Sequence, residues 1–364
     1  MTANAAPVTV ISQPVRSSWP RFEADECDAV ANVLASGKVN ALVHGDECDG
    51  FASEFAGFIG ARQAICMANG TVTLEIALRA LGVGPGHEVI VPAPYWVSYP
   101  DMVLLAGGRP VVIECGIEHG FRLTPDALEA AITPRTKWLI LNSPSNPSGA
   151  GYSRTRIQAL SDVLLRHPHV WILSDDIYEH LVFDGFEFAT PAQVEPRLKN
   201  RILTMNGVSK SYAMTGFRVG YLVGPPDFTG AVAAIKATTS GACPVFSQLA
   251  ALAALEVEED PRPRYLAIYE GRRRALLDGF DELAIPYGPH GGGLFVWADV
   301  SRFGIGAEAF CYRLLEETGV LMFPGNSFGD RWQNWVRVSL LAPEESVTAA
   351  IGRIQGFVAG LEQS

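Results

Sequence analysis

The spacing of apolar positions changes character at about residue 260. Before that point, short apolar runs rich in β-branched residues alternate with stretches whose apolar positions recur at helical spacing. The runs predict strands at 63–68, 88–92, 109–113, 138–142, 170–174 and 201–206, with helices at 72–81, 125–131 and 154–165 among them. Short apolar strands separated by helices imply an α/β fold with a mostly parallel sheet sandwiched by helices. Beyond about 261 the pattern predicts a helix at 264–283, strands at 293–299 and 335–341, and helices at 307–317 and 344–358, a smaller α+β unit. An amino-terminal helix at about 24–35 is expected to pack with that unit. The expected division is 1–44 as an amino-terminal segment on the small domain, 45–260 as the large domain and 261–364 as the small carboxy-terminal one.

Composition narrows the classes of function. The 364 residues are 48% hydrophobic and 18% charged, enough to bury about two domain cores rather than form a disordered tail. Lys and Arg number 28 against 39 Asp and Glu, a formal charge of −11. That balance argues against nucleic acid or an anionic membrane as partner. No apolar run approaches the roughly 18 residues of a membrane-spanning helix, and residues 1–16 lack a basic start followed by an apolar core. The six cysteines lie far apart with no CxxC pair, which reads as reduced thiols and a cytoplasmic location.

Three successive predicted strands each run into chemically useful residues. The strand at 138–142 leads into Asn146 and Gly149, that at 170–174 into Asp175 and Tyr178, and that at 201–206 into Lys210. Ligands of parallel sheets bind just beyond the carboxyl ends of strands, so these side chains are placed to converge. A lysine at such a strand end is either a solvated loop residue or an amine desolvated enough for Schiff-base chemistry. Arg218, in an apolar stretch eight residues on, calls for an anion, and a phosphate fits its fork. Asp175 calls for a cation, such as a protonated pyridine nitrogen, and Asn146 and Tyr178 can donate to a phenolate oxygen. Gly70 and Thr71, at a strand-to-helix turn, form a phosphate cradle or a plain structural turn. On composition alone, Trp96 reads as core packing, Arg337 as a strand residue in an ion pair, His290 as a loop residue, and Arg272–Arg274 as a solvated helix face.

Set in order, these segments resemble one family. Gly207-Val-Ser-Lys-Ser-Tyr-Ala-Met-Thr-Gly-Phe-Arg-Val-Gly220 is similar to the lysine motif of the class I/II aminotransferases, which use pyridoxal phosphate. Asn142-Ser-Pro-Ser-Asn-Pro-Ser-Gly149 resembles their asparagine loop, Ser174-Asp-Asp-Ile-Tyr178 their aspartate–tyrosine motif, Ala93-Pro-Tyr-Trp-Val-Ser-Tyr99 the aromatic segment of the aspartate aminotransferase branch, and Val336-Arg-Val-Ser339 the carboxy-terminal arginine motif. The resemblance runs from about Pro92 to the end. It implies the fold-type I architecture and a role for each matching residue. Lys210 would carry the cofactor as a Schiff base and shuttle the proton, while Asp175 would hold the ring nitrogen protonated. Asn146 and Tyr178 would bond the phenolate oxygen. Arg218, the Gly70–Thr71 amides and Ser209 would hold the phosphate. Trp96 would stack on the ring, and Arg337, with Trp96 and Asn146 beside it, would grip the substrate α-carboxylate. The chemistry is the cofactor's; the protein supplies placement and electrostatics.

Residues 1–92 look closer to the pyridoxal-phosphate-dependent sugar aminotransferases, through Trp19-Pro-Arg-Phe22, Ser36-Gly37, Asn69-Gly-Thr71 and Leu81-Gly-Val-Gly-Pro-Gly86. The resulting expectation is a homodimer with shared active sites that moves an amino group from an L-amino acid to a 2-oxo acid. Alternatives are β-elimination, decarboxylation or oxidation of an amino acid, amination of a sugar, or a non-catalytic regulator on the same fold. Arg337 argues against the sugar, which offers no α-carboxylate.

Overall fold

The computed structural model describes residues 24–37, 46–58, 62–68, 70–80, 82–239, 243–256 and 260–361. Seven strands form the larger sheet: β1 (Ala64–Met67), β2 (Glu88–Ala93), β3 (Arg109–Glu114), β4 (Thr136–Asn142), β5 (Trp171–Asp175), β6 (Ile202–Gly207) and β7 (Gly220–Val223), in the order β1-β7-β6-β5-β4-β2-β3. The neighbours from β3 to β6 are parallel, whereas β7 runs antiparallel to both β6 and β1. The six strands read from the sequence are present. β7 was not predicted as a strand, because it is only four residues long and begins at the last glycine of the lysine motif, whose glycines and Arg218 mask the short apolar run that follows.

Strand alternation explains how the sheet is buried on both sides. Val89, Val91, Trp138, Ile140, Leu173, Leu203 and Met205 pack with Leu74, Leu78, Met102 and Val103 of the helices Gly70–Ala80 and Ser98–Leu105. Their neighbours Ile90, Leu139, Leu141, Ile172 and Ile202 face the other way, onto Leu128, Ile157, Leu160 and Leu164 of the helices Pro125–Ala131 and Arg154–Arg166. Near-continuous apolar strands are therefore required here.

The second sheet is antiparallel, with β10 (Trp335–Ser339) between β8 (Phe295–Asp299) and the two-residue β9 (Phe323–Pro324). The sequence predicts β8 and β10 but not β9. Val336, Val296 and Ala298 face the helices Arg262–Glu282, Ala307–Thr318 and Glu344–Leu361, packing with Phe280, Phe310 and Phe357. On the alternate positions, Trp297 and Trp335 join Phe121, Ala150, Phe328 and Trp332. Arg337 shares that alternation, and this puts it toward the larger sheet.

Two expectations are corrected. The amino-terminal helix is present as Ala24–Ser36, but it packs against Val245–Glu256, and its Val30 joins the cluster of Phe55, Cys66, Tyr221 and Ala251 beside the larger sheet. Its apolar positions match the apolar helix Val245–Glu256; residues 1–23 and 38–44 lie outside the described residues. Second, Arg272–Arg274 is not a uniformly solvated face. Arg273 is buried, pairs with Asp184 and Glu270, lies over the Phe183 ring at 5.2 Å, and donates from Nε to His290 Nδ1 at 3.0 Å. A helix turns about 100° per residue, so three consecutive arginines cannot share one environment. His290 is itself buried, and burial beside Arg273 pushes its pKa down to about 3.

No disulfide links the described cysteines; Cys27 is exposed, and Cys66, Cys115, Cys243 and Cys311 are buried. Among the described residues no helix is long and apolar enough to cross a membrane.

Candidate active site

The carboxyl ends of β4, β5 and β6 face the second sheet across a cavity of about 230 Å³. Trp96, Asn146, Asp175, Tyr178, Ser209, Lys210, Arg218 and Arg337 all line it. Eight of the ten residues singled out from the sequence thus converge. The remaining two, Gly70 and Thr71, are the first residues of the helix Gly70–Ala80; their side chains lie outside the described residues.

Local structure explains each position. Asp175 closes β5, where Asn142 at the end of β4 is its in-register neighbour. Asn142 donates from Nδ2 to the Asp175 carbonyl at 2.9 Å and accepts the Asn146 amide at 2.9 Å, so one side chain ties the asparagine loop to the aspartate strand. Lys210 follows β6 on a single helical turn, Val208–Ser211. Gly207 and Gly220 are paired at the end of β6 and β7, and a Cβ on Gly207 would lie 2.9 Å from the Val219 carbonyl oxygen. The two backbones approach too closely there for a side chain.

The electrostatics separate the groups. Burial pushes the Asp175 carboxyl up to about 6, against hydrogen bonds from Tyr99 and the Ile177 amide and the nearby Lys210 charge, all of which favour ionisation. The Tyr99 hydroxyl donates to Asp175 Oδ2 at 2.5 Å, and the Ile177 amide to Oδ1 at 3.3 Å. Burial also lowers the Lys210 pKa, assisted by Arg218 and Arg337 and opposed by Asp175. Tyr178 is raised, chiefly by burial and then by Asp175.

The two arginines differ. Arg218 is exposed at the cavity rim, with a left-handed backbone (φ 57°), one hydrogen bond to the Thr215 carbonyl and no ion pair among the described residues. It follows the turn Thr215–Phe217, which carries it to the rim with its guanidinium open to an incoming anion. Arg337 is buried, donates from Nη1 to Asn146 Oδ1 at 3.0 Å, and leaves a buried Nε without a partner. Burial brings its pKa down to about 10, so it remains a cation with unused donor capacity. That replaces the surface ion pair considered for it.

Tyr99 and Asn142 were not identified as site residues, although both lie in motif segments. Their sequence signal was slight: Tyr99 stands three residues after Trp96, about one helical turn away. Nor does sequence alone distinguish a residue that lines the cavity from one that holds its wall.

The donor set matches a flat anionic group carrying one basic ring nitrogen: a buried acid, an amine of lowered pKa, a rim arginine and a helix start. Residues 20–354 match the family model for aminotransferase class I and II. The aspartate/prephenate aminotransferase of Cereibacter sphaeroides is 49% identical over 306 residues, 80% of this chain and 76% of that protein. An aspartate aminotransferase of Rhizobium meliloti is 43% identical over 301 residues, covering 80% and 73%. Among solved structures, an aspartate aminotransferase from Rhizobium meliloti superposes with a TM-score of 0.86 at 36% identity, covering 94% of this chain and 90% of that one. The aromatic aminotransferase of Pyrococcus horikoshii gives 0.87 at 25% identity, covering 95% of each. The family match begins at residue 20, so the stretch that looks closer to sugar aminotransferases falls largely within it. The chain belongs to the class I and II aminotransferases, and it moves amino groups between amino acids and 2-oxo acids.

Proposed function

We propose that the chain is a cytoplasmic, homodimeric, pyridoxal-phosphate-dependent enzyme acting on an L-amino acid and a 2-oxo acid, with Lys210 as its catalytic amine. The observation that carries this reading is the Asp175 carboxyl, closed off from water yet facing Lys210 across one cavity. A buried acid with a pKa near 6 is stabilised as an anion by a cation placed against it. Pyridoxal phosphate supplies such a cation at its ring nitrogen, and the ring then serves as an electron sink at the substrate α-carbon.

The chain's own residues do the rest. Lys210 Nζ, with its lowered pKa, is unprotonated for a larger fraction of the time than a solvated lysine, so it would be the base that takes the substrate's α-proton and holds it for return. Tyr99 and the Ile177 amide fix the Asp175 oxygens. Asn146 and Tyr178, both lining the cavity, would bond the cofactor's phenolate oxygen, and Trp96 would stack on its ring. Arg218, the amides at the start of Gly70–Ala80 and Ser209 hold the phosphate. Arg337 takes the α-carboxylate on its unused donors, pointing away from a sugar substrate. The names of the relatives support a dicarboxylic amino acid such as aspartate as donor, with prephenate, itself a 2-oxo acid carrying a second carboxylate, as a candidate acceptor.

Lys210→Ala is expected to remove the cofactor's lysine-dependent visible absorbance and all turnover. The same protein, offered a panel of amino acids and followed by spectrum and released products, should yield the 2-oxo acid and no ammonia or carbon dioxide. Persistence of the absorbance band would place the Schiff base on another amine, and ammonia or carbon dioxide would assign elimination or decarboxylation. Light scattering should give twice the chain mass, and mixing variants inactive on different faces should restore some activity if the sites are shared.

A further inference from the structure

Arg337 sits on the middle strand of the small sheet, and its surroundings contain more aromatic surface than its hydrogen bonding requires. Phe323 on β9 is its direct cross-strand partner, and Phe295 on β8 pairs with Ser339, two residues along on the same face. The guanidinium carbon lies 4.3 Å from the Phe295 ring centroid and 4.8 Å from those of Phe323 and Phe328. Phe295 and Phe328 are buried at 9% and 2% exposure and belong to the packed core, whereas Phe323 is 44% exposed. Core packing does not account for an aromatic ring held half in water on a two-residue edge strand. What it does cover is Arg337, which keeps only 9% exposure behind it.

We propose that Phe323 is a positioning residue for substrate binding, a shield on the solvent side of Arg337 that keeps the guanidinium dry and tightens its grip on a substrate carboxylate. The inference rests on the reading of Arg337 as the carboxylate site. Two effects oppose each other. The negative ring face partly satisfies the cation, an effect of about two- to five-fold in an equilibrium constant at an exposed site. Excluding water lowers the effective dielectric from about 80 toward about 20, which makes a contact ion pair roughly four times stronger in energy. The second effect grows when an anion arrives and the first does not, so shielding prevails. Phe323 is also the ring of the three that can be cut back without opening a buried cavity.

The test uses the holoenzyme and two unreactive carboxylates, succinate and 3-phenylpropionate, titrated calorimetrically at several salt concentrations, alongside steady-state kinetics with aspartate and phenylalanine. Phe323→Ala should weaken whichever probe the parent enzyme binds by about five- to ten-fold, steepen its salt dependence, and raise KM with kcat within about two-fold. Phe323→Tyr should restore parental binding and salt dependence. Unchanged or tighter binding in Phe323→Ala, or a fall confined to kcat, overturns the proposal. Arg337→Lys separates the two layers. If it leaves carboxylate binding intact, the reading of Arg337 fails; if it weakens binding while Phe323→Ala does not, only the shield fails.

Discussion

Asp175 and Asp176 are adjacent carboxyl groups with different surroundings, and the difference can be tested. Asp175 points into the cavity with Tyr99 and the Ile177 amide as donors; Asp175→Ala should cost on the order of 10² or more in turnover, because nothing then holds a ring nitrogen protonated. A single-turnover rate within a few-fold of the parent would remove Asp175 from the chemistry. Asp176 points away, accepts a hydrogen bond from Ser174 Oγ at 2.7 Å, and is pushed up to about 8 by burial, with Glu179 adding to the rise. Its folded pKa lies above the unfolded value of 3.8, so its contribution to stability is full below about pH 4 and is lost as the pH rises toward 8. Asp176→Asn should flatten the stability–pH profile in that window, measured by urea unfolding at stepped pH. A profile as steep as the parent's would show that Asp176 ionises freely in the fold. The sequence singled out Asp175 through the motif in which it stands. It gave no sign of what Asp176 does, since two adjacent aspartates at a strand end look alike until the fold sends them to different sides.

At the scale of elements, legibility followed periodicity. Long helices and parallel strands were readable because their spacing is sustained; β7 and β9 were not, being only four and two residues long, too short to show an alternation of their own. Arg273 was misread for a related reason, since three arginines in a row conceal which one the helix turns inward. That turn matters to the asparagine loop. Arg273 holds His290, and His290 abuts Gly149, whose φ of 67° and contact with the ring leave no room for a Cβ. The Gly291 and Gly292 amides both donate to the Gly149 carbonyl, at 3.0 and 3.1 Å. Gly149→Ala should therefore destabilise the protein by about 2–3 kcal/mol, through the left-handed backbone and the clash together. It should also raise substrate KM, because Asn146 lies three residues away and holds Arg337. Adding His290→Ala should recover only the part of the clash that comes from the ring, leaving the left-handed backbone and the 2.9 Å approach to the Gly292 carbonyl oxygen. Additive losses in the double mutant would show that the ring and the loop are not coupled.

For the whole molecule, the site is the place where the carboxyl ends of the larger sheet meet the smaller sheet, two layers that also share the packing of Phe121 and Ala150 with Trp297 and Trp335. Lys210, Asp175 and Asn146 belong to the larger sheet and its loops, while Arg337 belongs to the smaller one, and the Arg337–Asn146 hydrogen bond crosses between them. A carboxylate bound to Arg337 above a cofactor held by Lys210 would add a further tie at the same place. Ligand binding to the folded form alone stabilises by RT ln(1 + [L]/Kd), about 2.7 kcal/mol at a hundredfold excess over Kd. If the tie spans both layers, that gain should appear in each of them. Hydrogen exchange should slow in Trp335–Ser339 and in Thr136–Asn142 when a non-reactive carboxylate is added to the holoenzyme, and Arg337→Lys should abolish both changes together. Protection confined to the larger sheet would mean that the carboxylate is bound without Arg337, and the two layers would then be joined at the site by the protein's own contacts alone.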